Sequence, residues 1–133
     1  MVRVLLAVPH KLLRAALQEY LVLPGEFICG EAANTDELWN ELLHQQWHAL
    51  ILDMCLPEQT KLQTVHILHQ FYPGLAILAI SFSVNIPQKH WQEAGASGFV
   101  SKATLGAELI DAVRIISRGG KYFAGEGGAE KIT

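Results

Sequence analysis

Three side chains of different chemistry stand at equivalent places in this sequence. Asp53 closes the apolar run Ala49-Leu50-Ile51-Leu52, Ser81 closes the run from Leu75 to Ile80, and Lys102 follows Phe99-Val100 after one serine. Brought together, they would form a pocket with a carboxylate acceptor, a hydroxyl and a fixed positive charge. Each also has a plainer reading alone, the aspartate as a turn former or helix cap and the other two as solvated strand ends. It is their shared position, each just after an apolar run, that carries the functional reading. In open α/β sheets, ligands sit beyond the carboxyl ends of the strands.

The elements that must position this trio follow from periodicity. Val2 to Ala7 is a first strand, and Pro9-His10 turns the chain. Leu13, Ala16, Leu17, Tyr20 and Leu21 then recur at spacings of three and four, which predicts a helix burying them on one face. Leu23-Pro24-Gly25 ends it. Phe27 to Ala32 reads as a second strand. Asn34, with Glu37 three residues on, is a capping-box start for a helix to about Gln46, with Leu38, Leu42 and Leu43 inward. The unbroken run Ala49 to Leu52 is the mark of a strand buried on both faces.

A helix from about Leu62 to Tyr72 is stopped by Pro73-Gly74, and the run from Leu75 is the fourth strand. A short helix starts near Pro87, which suits a first turn. Phe99-Val100 is the fifth strand. The last helix, from about Leu105 to Ser117, buries Leu109, Ile110, Val113 and Ile116 and is closed by Gly119-Gly120. Strand alternating with helix predicts an α/β fold with right-handed crossovers. The expected form is a flavodoxin-like, doubly wound, five-stranded parallel sheet in the order 2-1-3-4-5. Residues 1–123 form the domain, and the Gly-rich polar stretch 124–133 reads as a linker or C-terminal tail.

Composition narrows the function classes. The 133 residues suit one domain, and half are hydrophobic, enough for a packed core. A formal charge of −3 offers no basic footprint for nucleic acid. The two cysteines, Cys29 and Cys55, form no CxxC and argue against a disulfide scaffold or closed zinc site. The first apolar run is too short for a secretory signal, and nothing approaches the roughly 18 apolar residues of a membrane span. A cytoplasmic protein without membrane partners is expected.

Taken together, Asp53 with Pro57 four residues later, Ser81, and Gly-Ala-Ser-Gly-Phe-Val-Ser-Lys from Gly95 to Lys102 resemble the receiver domain of two-component response regulators. The resemblance covers about residues 1–123. The opening Val2 to Ala7, Gly30 to Asn34 and Gly119 to Phe123 resemble the LuxR-type (NarL/FixJ) branch. The resemblance implies a CheY-like fold and a signalling module rather than an enzyme. It makes Asp53 the phosphoacceptor position and Ser81 the switch hydroxyl that contacts the phosphoryl group. Lys102 becomes the lysine that pairs with phosphoryl group or aspartate, and Phe99 the aromatic switch position. It also implies a sensor histidine kinase as partner, a homodimer through the face made by the fourth helix, fifth strand and fifth helix, and DNA contact only through a C-terminal output domain outside this chain.

The sequence departs from the family pattern in one decisive place. The first strand of a receiver normally ends in two acids that help hold Mg²⁺, and here Val8 and Pro9 stand there. Magnesium needs hard oxygen ligands in near-octahedral geometry. Only Asp53 and the backbone carbonyl of Cys55 would remain, so no cofactor is expected and Mg²⁺ binding should be weak or absent. The loop after the third strand, Glu58 to Lys61, also lacks the usual glycine, and Ala103 replaces the usual proline. With one carboxylate left, an Asp53–Lys102 ion pair can form without metal, locking the pocket rather than leaving it to phosphate.

Other residues receive weaker readings. His44 and His48, at i and i+4, have a zinc-compatible spacing but no third ligand, and His66 and His69 are alike. His10 follows Pro9 and is a candidate lining of the altered pocket. Trp39 and Trp47 read as packing residues. Trp91, on the short fourth helix, is the candidate interface anchor. Three functions therefore compete: a phosphorylation-independent regulatory module, a conventional phosphoacceptor at Asp53, and a flavodoxin-like nucleotide or flavin domain. The third needs a Gly-rich first loop, whereas Val8-Pro9-His10-Lys11 has none.

Overall fold

The computed structural model describes residues 1–56, 61–82 and 86–123. Strands and helices alternate along the chain: β1 (Val2–Ala7), α1 (Lys11–Val22), β2 (Phe27–Ala32), α2 (Thr35–His44), β3 (Ala49–Asp53), α3 (Lys61–Phe71), β4 (Ala76–Ser81), α4 (Gln88–Ala94), β5 (Gly98–Ser101), α5 (Leu105–Ser117) and β6 (Tyr122–Phe123). All strand pairs are parallel, in the order β2-β1-β3-β4-β5-β6.

Strand period two divides the core into two layers. Val4, Leu6, Ala49, Ile51, Leu78 and Ile80 meet α1 and α5 on one face of the sheet. Leu5, Leu50, Leu52, Ile77 and Ala79 meet α2, α3 and α4 on the other. Every residue of β3 is buried, as its unbroken apolar run requires. The two layers hold β3, β4 and β5 in fixed register, so Asp53 pairs with Ile80 and Ser81 with Ser101. That register brings the ends of these strands to one edge.

Helix starts follow local chemistry. Asn34 Oδ1 accepts the Glu37 N–H at 2.9 Å, and Glu37 Oε1 reaches back to the Ala33 N–H at 2.7 Å. This is a capping box displaced by one residue. α4 ends where Gly95 adopts φ 106°, the left-handed cap that glycine permits.

Four expectations need correction. A sixth strand extends the sheet: Gly119, at φ 92°, turns the chain after α5, and Tyr122 donates its N–H to the Ser97 carbonyl at 2.9 Å. Tyr122 and Phe123 then sink into opposite core layers. In α1 only Leu17 and Leu21 are fully buried, with Leu13 half-buried, while Ala16 and Tyr20 face solvent. α2 ends at His44 because Gln45 is extended, and Leu43 is exposed. His48 therefore lies outside the helix: its Nδ1 accepts the Arg3 N–H at 2.9 Å, while His44 Nδ1 meets the Asn40 carbonyl. The two histidines therefore share no helix face. Pro57, the glycine-free stretch before Lys61 and the tail 124–133 lie outside the described residues.

Candidate functional site

Asp53 is the one fully buried charged residue among the described residues. β3 carries it to the top of the sheet, where its Oδ1 accepts the Cys55 N–H at 2.9 Å. Its Oδ2 lies 2.8 Å from Lys102 Nζ. No hydrogen-bond donor is aligned on that oxygen among the described residues, so charge carries the contact. The Lys102 side chain is 4 % exposed. Two opposite charges thus share a site from which water is nearly excluded, where their attraction is screened far less than at the surface.

Backbone bonds set the lysine's position. The Lys102 N–H donates to the Ser81 carbonyl at 2.9 Å, prolonging the β4–β5 ladder by one residue. Ser81 is half-buried at the end of β4. The sequence trio therefore converges, as its placement after three buried strands demands. Phe99, three residues below Lys102 on β5, is buried and stacked on Trp91, with ring centroids 5.3 Å apart and planes 19° apart.

That stack corrects the reading of Trp91 as an exposed anchor. It is 2 % exposed, because α4 turns this residue down onto β5 instead of outward. Trp39 and Trp47 are half-buried and pack as expected: Trp39 meets Phe71 and Tyr72, and Trp47 bonds the Glu41 carbonyl under Arg3. His10 is an exposed N-cap of α1, and no contact of its side chain with Asp53 is seen among the described residues.

Val8 and Pro9, where the resemblance places an acidic pair, bring no side-chain oxygen to this end of the sheet. Val8 is fully buried among the core residues of the α1–α5 layer, and Pro9 is half-buried. The Val8 carbonyl accepts Arg14 Nη1 at 2.7 Å, and Arg14 Nε pairs with Glu31 at 2.6 Å. A guanidinium thus occupies that carbonyl oxygen. Among the described residues, no three His, Cys, Asp or Glu side chains gather as a metal site would need. The donors present do not fit octahedral Mg²⁺: one carboxylate oxygen faces an ammonium and the other a backbone N–H.

Sequence reasoning missed Arg14 and Phe82 here, and of Cys55 it weighed only the backbone carbonyl. Arg14 gave no signal because its partners are the Val8 carbonyl just past β1 and Glu31 on β2. Cys55, exposed, places Sγ 3.8 Å from Lys102 Nζ, and Phe82 lays its ring 5.4 Å from the same atom. Cys55 stands two residues after Asp53 and Phe82 directly follows Ser81, and that proximity was the available clue.

Comparison with known proteins agrees with this fold. The family model "Response regulator receiver domain" matches residues 4–114, and the chain belongs to that family. Receiver domains are signalling modules rather than enzymes. The chain is 31 % identical over 124 residues to the transcriptional activator protein ExaE of Pseudomonas putida, covering 90 % of this chain and 56 % of that protein. It superposes on the isolated receiver domain of RcsB from Salmonella enterica serovar Typhimurium in the apo form (TM-score 0.84, 19 % identity, 92 % of each chain). It also superposes on a LuxR-family two-component response regulator from Aurantimonas sp. SI85-9A1 (TM-score 0.82, 22 % identity, 99 % of this chain and 95 % of that one). The chain spans somewhat over half the length of the curated relatives it matches. No helix among the described residues is long and apolar enough to cross a membrane.

Proposed function

We propose that this receiver works as a phosphorylation-independent regulatory module of a LuxR-type transcription regulator. The observation that carries the reading is the buried Asp53–Lys102 pair at 2.8 Å beside a fully buried Val8. Phosphoryl transfer to an aspartate relies on a metal to neutralise the charge that builds up on the transferring group. Here Lys102 already neutralises Asp53, and Val8 and Pro9 bring no oxygen for a metal. Beneath the pair, Phe99 lies inward on Trp91.

In this reading, Asp53 and Lys102 are a structural lock, Ser81 keeps the place of the switch hydroxyl, and Mg²⁺ binds weakly or not at all. Signal passes through protein contacts: homodimerisation on the α4–β5–α5 face and an output domain that binds DNA. A cytoplasmic location follows from that role. A sensor histidine kinase remains the partner only in the conventional alternative, in which Asp53 accepts phosphate. Amide-resolved NMR with Mg²⁺ and the phosphomimetic beryllofluoride separates the two. The lock predicts unchanged resonances at Asp53, Ser81 and Lys102. Saturable shifts at all three would establish the conventional receiver.

A further inference from the structure

The Lys102 ammonium has more than one neighbour. Asp53 Oδ2 lies 2.8 Å away, Cys55 Sγ 3.8 Å, and the centre of the Phe82 ring 5.4 Å. The lysine side chain is 4 % exposed, whereas Phe82 is 72 % exposed. That contrast describes a ring with one face on the cation and the other in water. A phenyl group so exposed has little packing of its own to hold it. The ammonium supplies the attraction, because the negative face of the ring favours a cation within about 6 Å.

We propose that Phe82 is the shield of this pocket: its ring, with the Cys55 side chain, closes Lys102 and the buried Asp53 behind it off from solutes. The shield builds on the charge lock described above and adds a separate property, access. Lys102 neutralises Asp53, and Phe82 decides what can reach the pair. A reagent that approaches Asp53 must displace both the ammonium and the ring. Because Phe82 directly follows Ser81, a movement at the end of β4 would carry the ring with it. A partner that captures the exposed face of the ring would uncover the pair, whereas one that presses it down would keep the pocket shut.

Lysine acylation with a water-soluble acid anhydride, mapped by peptide mass spectrometry on the folded chain, tests this directly. Lys89 and Lys121 are exposed and serve as internal standards. In the wild type, Lys102 should react much more slowly than both. Phe82→Ala should raise the Lys102 rate roughly two- to fivefold relative to the standards, the equilibrium factor expected for a cation–π contact at an exposed ring. Phe82→Trp should keep Lys102 as protected as in the wild type. The ring is largely exposed, so neither variant threatens the fold, and unchanged rates at the standards would verify that. Wild-type Lys102 reacting as fast as Lys89, or a Phe82→Ala rate equal to wild type, would overturn the shield. The assay uses neither phosphodonor nor metal, so the shield can fail while the lock stands, or survive if Asp53 proves phosphorylatable.

Discussion

Replacing Lys102 by Met removes a buried cation and leaves its partner behind. The methionine keeps the length and apolar stem of the lysine, so packing changes little. Asp53 then keeps one N–H, from Cys55, on Oδ1, and its Oδ2 loses the ammonium 2.8 Å away. Both side chains are more than nine-tenths buried, so water screens the pair little. Breaking such a pair by removing one partner costs about 3–5 kcal/mol, set against roughly 5–15 kcal/mol for a whole domain. The melting temperature should fall by roughly 10–20 °C. Protonation of the stranded carboxylate caps the loss.

Urea denaturation followed by tryptophan fluorescence measures that loss. Asp53→Asn combined with Lys102→Met removes both charges and should recover at least half of it, because the penalty belongs to the unpaired charge rather than to the absent bond. A single variant within about 0.5 kcal/mol of wild type, the range of a neutral surface change, would refute the reasoning. So would a double variant as unstable as the single one, since the damage would then come from packing.

Further outcomes follow from other parts of the molecule. Val8→Asp with Pro9→Asp puts two acids where none is balanced; the variant should melt lower than wild type and regain stability with millimolar Mg²⁺, by about 2.7 kcal/mol at a hundredfold excess over Kd, whereas wild-type melting should ignore Mg²⁺. Tyr122 donates to Glu108 Oε1 at 2.7 Å, and burial, then the hydrogen bond and charge of Glu108, push its phenol well above the usual range. Its stabilising effect is therefore full below the unfolded value of about 10 and is lost as pH rises beyond it; Tyr122→Phe should flatten that alkaline limb in a pH series of melts. Gly95→Ala places a Cβ 2.4 Å from His69 Cγ at φ 106°, and the combined clash and strain should cost at least about 1–3 kcal/mol in chemical denaturation.

Most of the site was legible because it sits at the ends of buried strands. An unbroken apolar run ending in Asp53 or Ser81, or a short one leading through Ser101 to Lys102, signals both the strand and the edge to which it delivers the residue, and parallel topology does the rest. Asn34 and Glu37 likewise marked the start of α2 on local chemistry alone. What escaped depended on rotation and on distant partners. Trp91 sits on a seven-residue helix, too short for periodicity to say which way it faces. Tyr20 and Leu43 have the hydrophobicity of inner positions but fall outside the arc that α1 and α2 bury. β6 is two residues long, below the length at which alternation can be seen. Arg14 closes on Val8 and Glu31 across two strands, and no spacing along the chain announces such a contact.

The claim at the centre of this account is that Asp53 is a lock and does not accept phosphate. Intact mass of the folded chain after incubation with acetyl phosphate and Mg²⁺, beside an Asp53→Ala control, tests it most directly. If Asp53 is a lock, neither protein gains a phosphoryl adduct. An adduct on the wild type that is missing from the control would contradict it and return Asp53, Ser81 and Lys102 to the ordinary phosphate switch.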